Sequence, residues 1–229
     1  MLIPWQRRSA FVAALAVPLA LLAGLSLAWY FSAELLRGVE GWWLFFVHCG
    51  LFAVFFTLFA VTCHRLVLLQ PGWRGRMPVP PWSRREARFF FWVVTLWIVY
   101  LVVWWLGLLV AGNISPRDSL QAWFDVIEFA ASLPALYVVA RLSLVFPATA
   151  IDQPAGLKWA WRTSRGNGWR LVVVVAVVPW LLSHLVGLLY RETPTAPEVV
   201  AITVLGTALF AVEIAALSVA YRELVRNEP

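Results

Sequence analysis

Three ionisable side chains stand inside long apolar runs: Glu213, Arg141 and His184. Such a group is costly in an apolar setting unless it pairs, binds an ion or relays a proton, so each is a candidate for function. Glu213 is the cleanest case, with Gly206, Ala216 and Ala220 on or near its helical face. It reads either as a proton or cation site or as the buried half of a polar contact with Arg141 or His184, and the contact is the simpler expectation. Asp125 and Glu128, one turn apart near the end of a run, are expected to be wet. His48 and His184 read as hydrogen-bonded packing residues. Cys49 and Cys63 fall in one predicted helix, about 21 Å apart along its axis, too far for a disulfide. The neighbours Cys63 and His64 lack the four-ligand spacing of a zinc site. The sequence contains no nucleophile elbow, phosphate loop, haem motif or zinc-protease helix. The expectation is therefore no catalytic residue, no metal, no cofactor and no enzymatic activity.

A second kind of chemistry belongs to basic side chains. Between Gly156 and Asn167, Leu157, Ala160, Trp161 and Ser164 share one helical face, while Lys158, Arg162 and Arg165 share another. Asn167-Gly168 supplies a stop. A short basic amphipathic helix beside a bilayer lies in the headgroup layer and attracts anionic lipid. Together with Arg84, Arg85 and Arg88 in the basic loop from Arg74 to Arg88, these residues are the candidate surface for lipid or for another membrane protein.

The elements that must position these groups follow from composition. Of 229 residues, 62% are hydrophobic and 13% charged, and the mean hydropathy is +0.80. Soluble domains run about 45–50% apolar and about 25% charged, so lipid is the solvent that accommodates the excess. The chain reads as one all-α integral membrane domain over 1–229, with spans near 10–31, 42–69, 87–111, 120–146, 169–190 and 198–221. The first run exceeds the 7–15 apolar residues of a signal core and suits a spanning helix. Ser83-Arg84-Arg85-Glu86 has the form of a capping box before the third span. Ser115-Pro116-Arg117-Asp118 and Thr195-Ala196-Pro197-Glu198 carry start signals before the fourth and sixth. Pro18, Pro134 and Pro179 fall inside spans, where kinks are expected. Ala16, Ala20, Gly24 and Ala28 form a small-residue stripe suited to close packing within the chain.

The net charge of +6 lies in short loops, which favours a topology signal over nucleic-acid binding. Fifteen of the eighteen basic residues fall on one side of the six spans, and only Arg37, Arg117 and Arg191 on the other. This places both termini in the cytoplasm. The second and fourth spans also close alike: Arg65-Leu-Val-Leu-Leu-Gln-Pro71 and Arg141-Leu-Ser-Leu-Val-Phe-Pro147 both fit Arg-Leu-x-Leu-x-x-Pro. Tyr221-Arg222-Glu223-Leu224 closes the sixth as a looser echo, so three related hairpins are expected.

The run from Arg141 to Asp152, followed by Trp161-Arg-Thr-Ser-Arg-Gly-Asn-Gly-Trp-Arg-Leu171, resembles the membrane domain attached to some bacterial glycerophosphoryl diester phosphodiesterases and related stand-alone proteins. The likeness covers mainly residues 138–190. It implies a multi-pass module of a bacterial inner membrane. The phosphodiesterase barrel, with its His and acidic metal ligands, has no counterpart in this sequence, so that activity does not carry over. The leading expectation is a non-enzymatic scaffold, accessory subunit or lipid-associated module. The alternatives are a small-solute or ion transporter or channel subunit using Glu213 and, third, a lipid-acting membrane enzyme.

Overall fold

The computed structural model describes residues 8–35, 42–69, 82–114, 120–188 and 195–226. Its helices are α1 (Arg8–Leu35), α2 (Trp42–Leu68), α3 (Arg84–Ile114), α4 (Leu120–Leu142), α5 (Val145–Ala150), α6 (Leu157–Thr163), α7 (Gly168–Val172), α8 (Val178–Gly187) and α9 (Ala196–Arg226). A π turn, Val173–Val177, joins α7 to α8. No strand occurs among the described residues. Among the described residues, six helical stretches are long and apolar enough to cross a membrane.

Large apolar side chains face outward in this bundle. Phe46 is 64% exposed and Trp97 62%, with Leu106, Leu109 and Leu185 similarly uncovered. A surface of that kind is stable against hydrocarbon and not against water. Consecutive spans pair as hairpins, α1 with α2, α3 with α4, and α8 with α9, and α9 returns to pack on α1 and α2. Helices α3 and α4 approach closely at Gly107, where an added Cβ would lie 3.1 Å from the Cα of Ala131. Only a glycine admits that contact without displacing backbone.

Two local expectations are corrected. The fourth span does not run unbroken to residue 146. Ser143 and Leu144 form a turn, in which the Ser143 Oγ donates to the Ala140 carbonyl at 2.8 Å and the Phe146 N–H to the Ser143 carbonyl at 3.0 Å. The chain continues as α5, whose small residues Ala148, Thr149 and Ala150 are buried in the bundle, which α5 enters against α2, α3 and α9. Second, the stripe Ala16, Ala20, Gly24 and Ala28 is exposed, and nothing lies within 4 Å of a Cβ built on Gly24. α1 packs instead through Leu15, Pro18, Leu22 and Ala23. Helices α1 and α4 contain Pro18 and Pro134 within their length. At Pro179 the local winding changes. Lacking an N–H, this proline leaves the Val175 carbonyl without its usual donor, and the preceding turn widens so that the Val178 N–H reaches the Val173 carbonyl.

Candidate functional site

The ends of α2, α4, α5 and α9 and the starts of α3, α6 and α7 gather at one end of the bundle, and most of the described polar contacts lie there. The capping box forms as its sequence implies: Glu86 accepts from the Ser83 N–H at 3.0 Å and from the Ser83 hydroxyl, while the Arg85 N–H reaches the Ser83 Oγ at 3.2 Å. Thr195 and Glu198 repeat it at the start of α9, with the Thr195 N–H donating to Glu198 at 2.8 Å.

Tertiary contacts extend the first box into a charge network. The Arg85 Nε and Nη2 both bond Glu86 Oε1 at 2.9 Å, and its Nη1 bonds Asp152 Oδ2 at 3.1 Å. Arg65, from the end of α2, donates through Nη1 to the Ala150 carbonyl at 2.9 Å and to Asp152 Oδ2 at 3.2 Å. The Glu86 side chain is 0% exposed and those of Arg65 and Arg85 only 13% and 20%. Asp152 sits just past α5 with φ of 61°, the left-handed region where glycine is usual and aspartate is tolerated. Its N–H closes on the Thr149 carbonyl at 3.1 Å. Next to it, Gln153 accepts from the Tyr221 hydroxyl, which ties α9 to the same knot.

Arg141 builds a second clamp. Its Nε donates to the Ser164 Oγ at 2.9 Å, its Nη2 to the Trp161 carbonyl, and its guanidinium lies 3.6 Å from the centroid of the Trp161 ring. α6 is thereby held against α4, with Ala160, Thr163 and Ser164 buried. Lys158, Arg162 and Arg165 remain exposed on its outer face. Among the described residues none of these three has an ion-pair or hydrogen-bond partner. Arg84 and Arg88 are likewise exposed, whereas Arg85 departs from its expected place on that surface by turning inward to Glu86 and Asp152. Arg74 and Arg76, the Ser115-Pro116 start signal and Arg7, Arg37, Arg117 and Arg191 lie outside the described residues, as do the side chains of Asp125 and Glu128.

The expected contact of Glu213 with Arg141 or His184 does not form. Arg141 is committed to α6, and His184 is exposed, with its ring Nδ1 2.9 Å from the Trp180 carbonyl of its own helix. Glu213 instead lines a cavity of about 150 Å³ between α2, α3, α5, the π turn, α8 and α9. The other polar residue lining that cavity is His64, set aside in the sequence as half of an isolated Cys-His pair. His64 is buried, and its Nδ1 lies 2.7 Å from the Ser218 Oγ, which is in turn 2.9 Å from the Ile214 carbonyl. No sequence signal marks His64, because its partner lies 154 positions away. Among the described residues no group of three or more His, Cys, Asp or Glu side chains could hold a metal ion. No family model, curated protein or solved structure matches this chain.

Proposed function

We propose that this chain is a non-enzymatic polytopic membrane protein, a lipid-associated module, scaffold or accessory subunit, whose basic end lies in an anionic headgroup layer. The single observation that carries the reading is the pinned helix α6: one face is buried and clamped by Arg141, and the other presents Lys158, Arg162 and Arg165 unpaired. Holding cations in place without an internal counter-charge favours an external one, and lipid phosphate at the interface is the nearest source. Trp161 and Trp169, both exposed at this end, suit the same depth, since indole is apolar but carries an N–H that needs a wet partner. The excess of arginine at this end supports a cytoplasmic orientation in a plasma membrane, as does the resemblance to bacterial multi-span modules.

The test is lipid retention. The full chain is purified in mild detergent, exchanged into mixed phosphatidylglycerol and phosphatidylcholine, and its bound lipids counted by native mass spectrometry. The wild type should hold phosphatidylglycerol preferentially. Replacing Lys158, Arg162 and Arg165 together with Gln should weaken that preference on the order of 100-fold at low salt, since each cation near the surface is worth about 1 kcal/mol. Equal retention by the folded triple variant would refute the reading.

A further inference from the structure

The cavity beside Glu213 is a feature that the headgroup reading leaves unused. Its walls are largely apolar, with Phe56, Phe89 and Phe146 among the lining residues. Two of those rings pack at 5.0 Å between centroids. A wholly apolar cavity of this size stays dry and accepts a neutral molecule of about benzene's bulk. Here two polar groups change the preference. The Glu213 carboxylate has no hydrogen-bond or ion-pair partner among the described residues. The other group is His64, whose donor pattern its neighbours determine. Ser218 has one hydroxyl hydrogen, and the 2.9 Å approach to the Ile214 carbonyl uses it. The Ser218 oxygen must then accept from the His64 Nδ1–H at 2.7 Å. With the ring neutral, Nε2 carries a lone pair. The polar groups on the cavity wall are thus a carboxylate and an imidazole acceptor.

Acceptors without a donor, set among aromatic rings, are the complement of a cation that brings its own N–H groups and an apolar body. A carboxylate in such surroundings is stable only with a proton or a counter-cation, and ring faces add attraction for an ammonium. The π turn shapes the same wall: Val174 and Val175 come from it, and Pro179 follows directly. Widened turns of this kind recur at binding sites because they displace side chains from the regular helical register. We propose that the cavity bounded by Glu213, His64, Phe89, Phe146 and Val175 is a binding site for a small primary alkylammonium ion, held by the Glu213 carboxylate and the His64 Nε2.

The experiment uses the full chain in micelles and a matched pair of probes, tert-butylammonium and its neutral isostere tert-butanol, in equilibrium dialysis. Wild type should bind the ammonium and discriminate against the alcohol. Glu213→Gln should weaken ammonium binding by about 10- to 100-fold, the worth of one charge-assisted contact. Val175→Phe keeps the carboxylate but fills the space, and should weaken binding to a similar degree, so the test survives if Glu213→Gln fails to fold. Equal binding of the two probes by wild type, or ammonium binding unchanged in either folded variant, would overturn the assignment. Lipid retention is read separately, so a failure here leaves the α6 headgroup reading standing.

Discussion

The bundle handles charge in two opposite ways. At the end where α2, α3, α5 and α9 meet, three little-exposed charges are answered: Arg65 by Asp152, Arg85 by Asp152 and Glu86, and Glu86 by Ser83 as well. Deeper in the bundle, Glu213 stands on a cavity wall with no partner among the described residues, although His64 lines the same space. The first arrangement resembles the paired, hydrogen-bonded charges that protein interiors tolerate. The second is the kind that persists where a ligand or proton completes it. Both are carboxylates on apolar helices, so residue type does not distinguish them. The difference lies in what the neighbouring helices bring to each oxygen.

Substitutions can break or sharpen this contrast. The largest effect is expected from Glu86→Ala, which leaves a largely buried Arg85 with one anion instead of two and removes the cap of α3. A loss of about 3 kcal/mol is expected from broken buried pairing and capping together, read as a fall in the thermal unfolding midpoint in micelles. Asp152→Ala should cost about 2 kcal/mol, combining lost arginine contacts with a left-handed backbone that alanine resists. Asp152→Asn, which tolerates that backbone and retains an acceptor oxygen, should cost less. If Ala and Asn prove equal in the same assay, the φ of 61° contributes nothing to the difference. Arg141→Lys should cost about 1 kcal/mol by losing the planar stack on Trp161 and the paired donors, and should raise protease sensitivity around α6. The smallest effect belongs to Glu213→Gln. With no internal partner to lose, its unfolding midpoint should stay within about 0.5 kcal/mol of wild type or rise. A collapse comparable to that of Glu86→Ala would show that Glu213 is a structural contact and erase the contrast.

The mixture of legible and illegible features has a physical pattern. The six apolar stretches, the capping box at Ser83, the start signal at Thr195 and the two-faced helix α6 are visible in sequence because each depends on residues within a turn or two of one another. The turn at Ser143 and Leu144 was less accessible. The run from Leu120 to Phe146 is apolar enough to be one helix, and it breaks because α5 buries Ala148, Thr149 and Ala150 in the bundle. The similar Arg-Leu endings are equally deceptive: Arg65 reaches α5 and Asp152, whereas Arg141 reaches α6. Identical local grammar therefore holds two different connections.

By itself the sequence determined the helical class, the number and approximate limits of the apolar helices, the local caps and the clustering of arginine. All of these follow from hydropathy, periodicity and side-chain-to-backbone bonding over short range. Only the tertiary structure decided which charges are paired. It turned Arg85 inward while leaving Lys158, Arg162 and Arg165 outside, and it faced the small-residue stripe of α1 away from the bundle. It also separated Glu213 from Arg141 and His184 and put it on a cavity with His64. Those outcomes rest on contacts between residues far apart in sequence, whose strength is set by distance and desolvation, and neither quantity is encoded in the spacing along one helix.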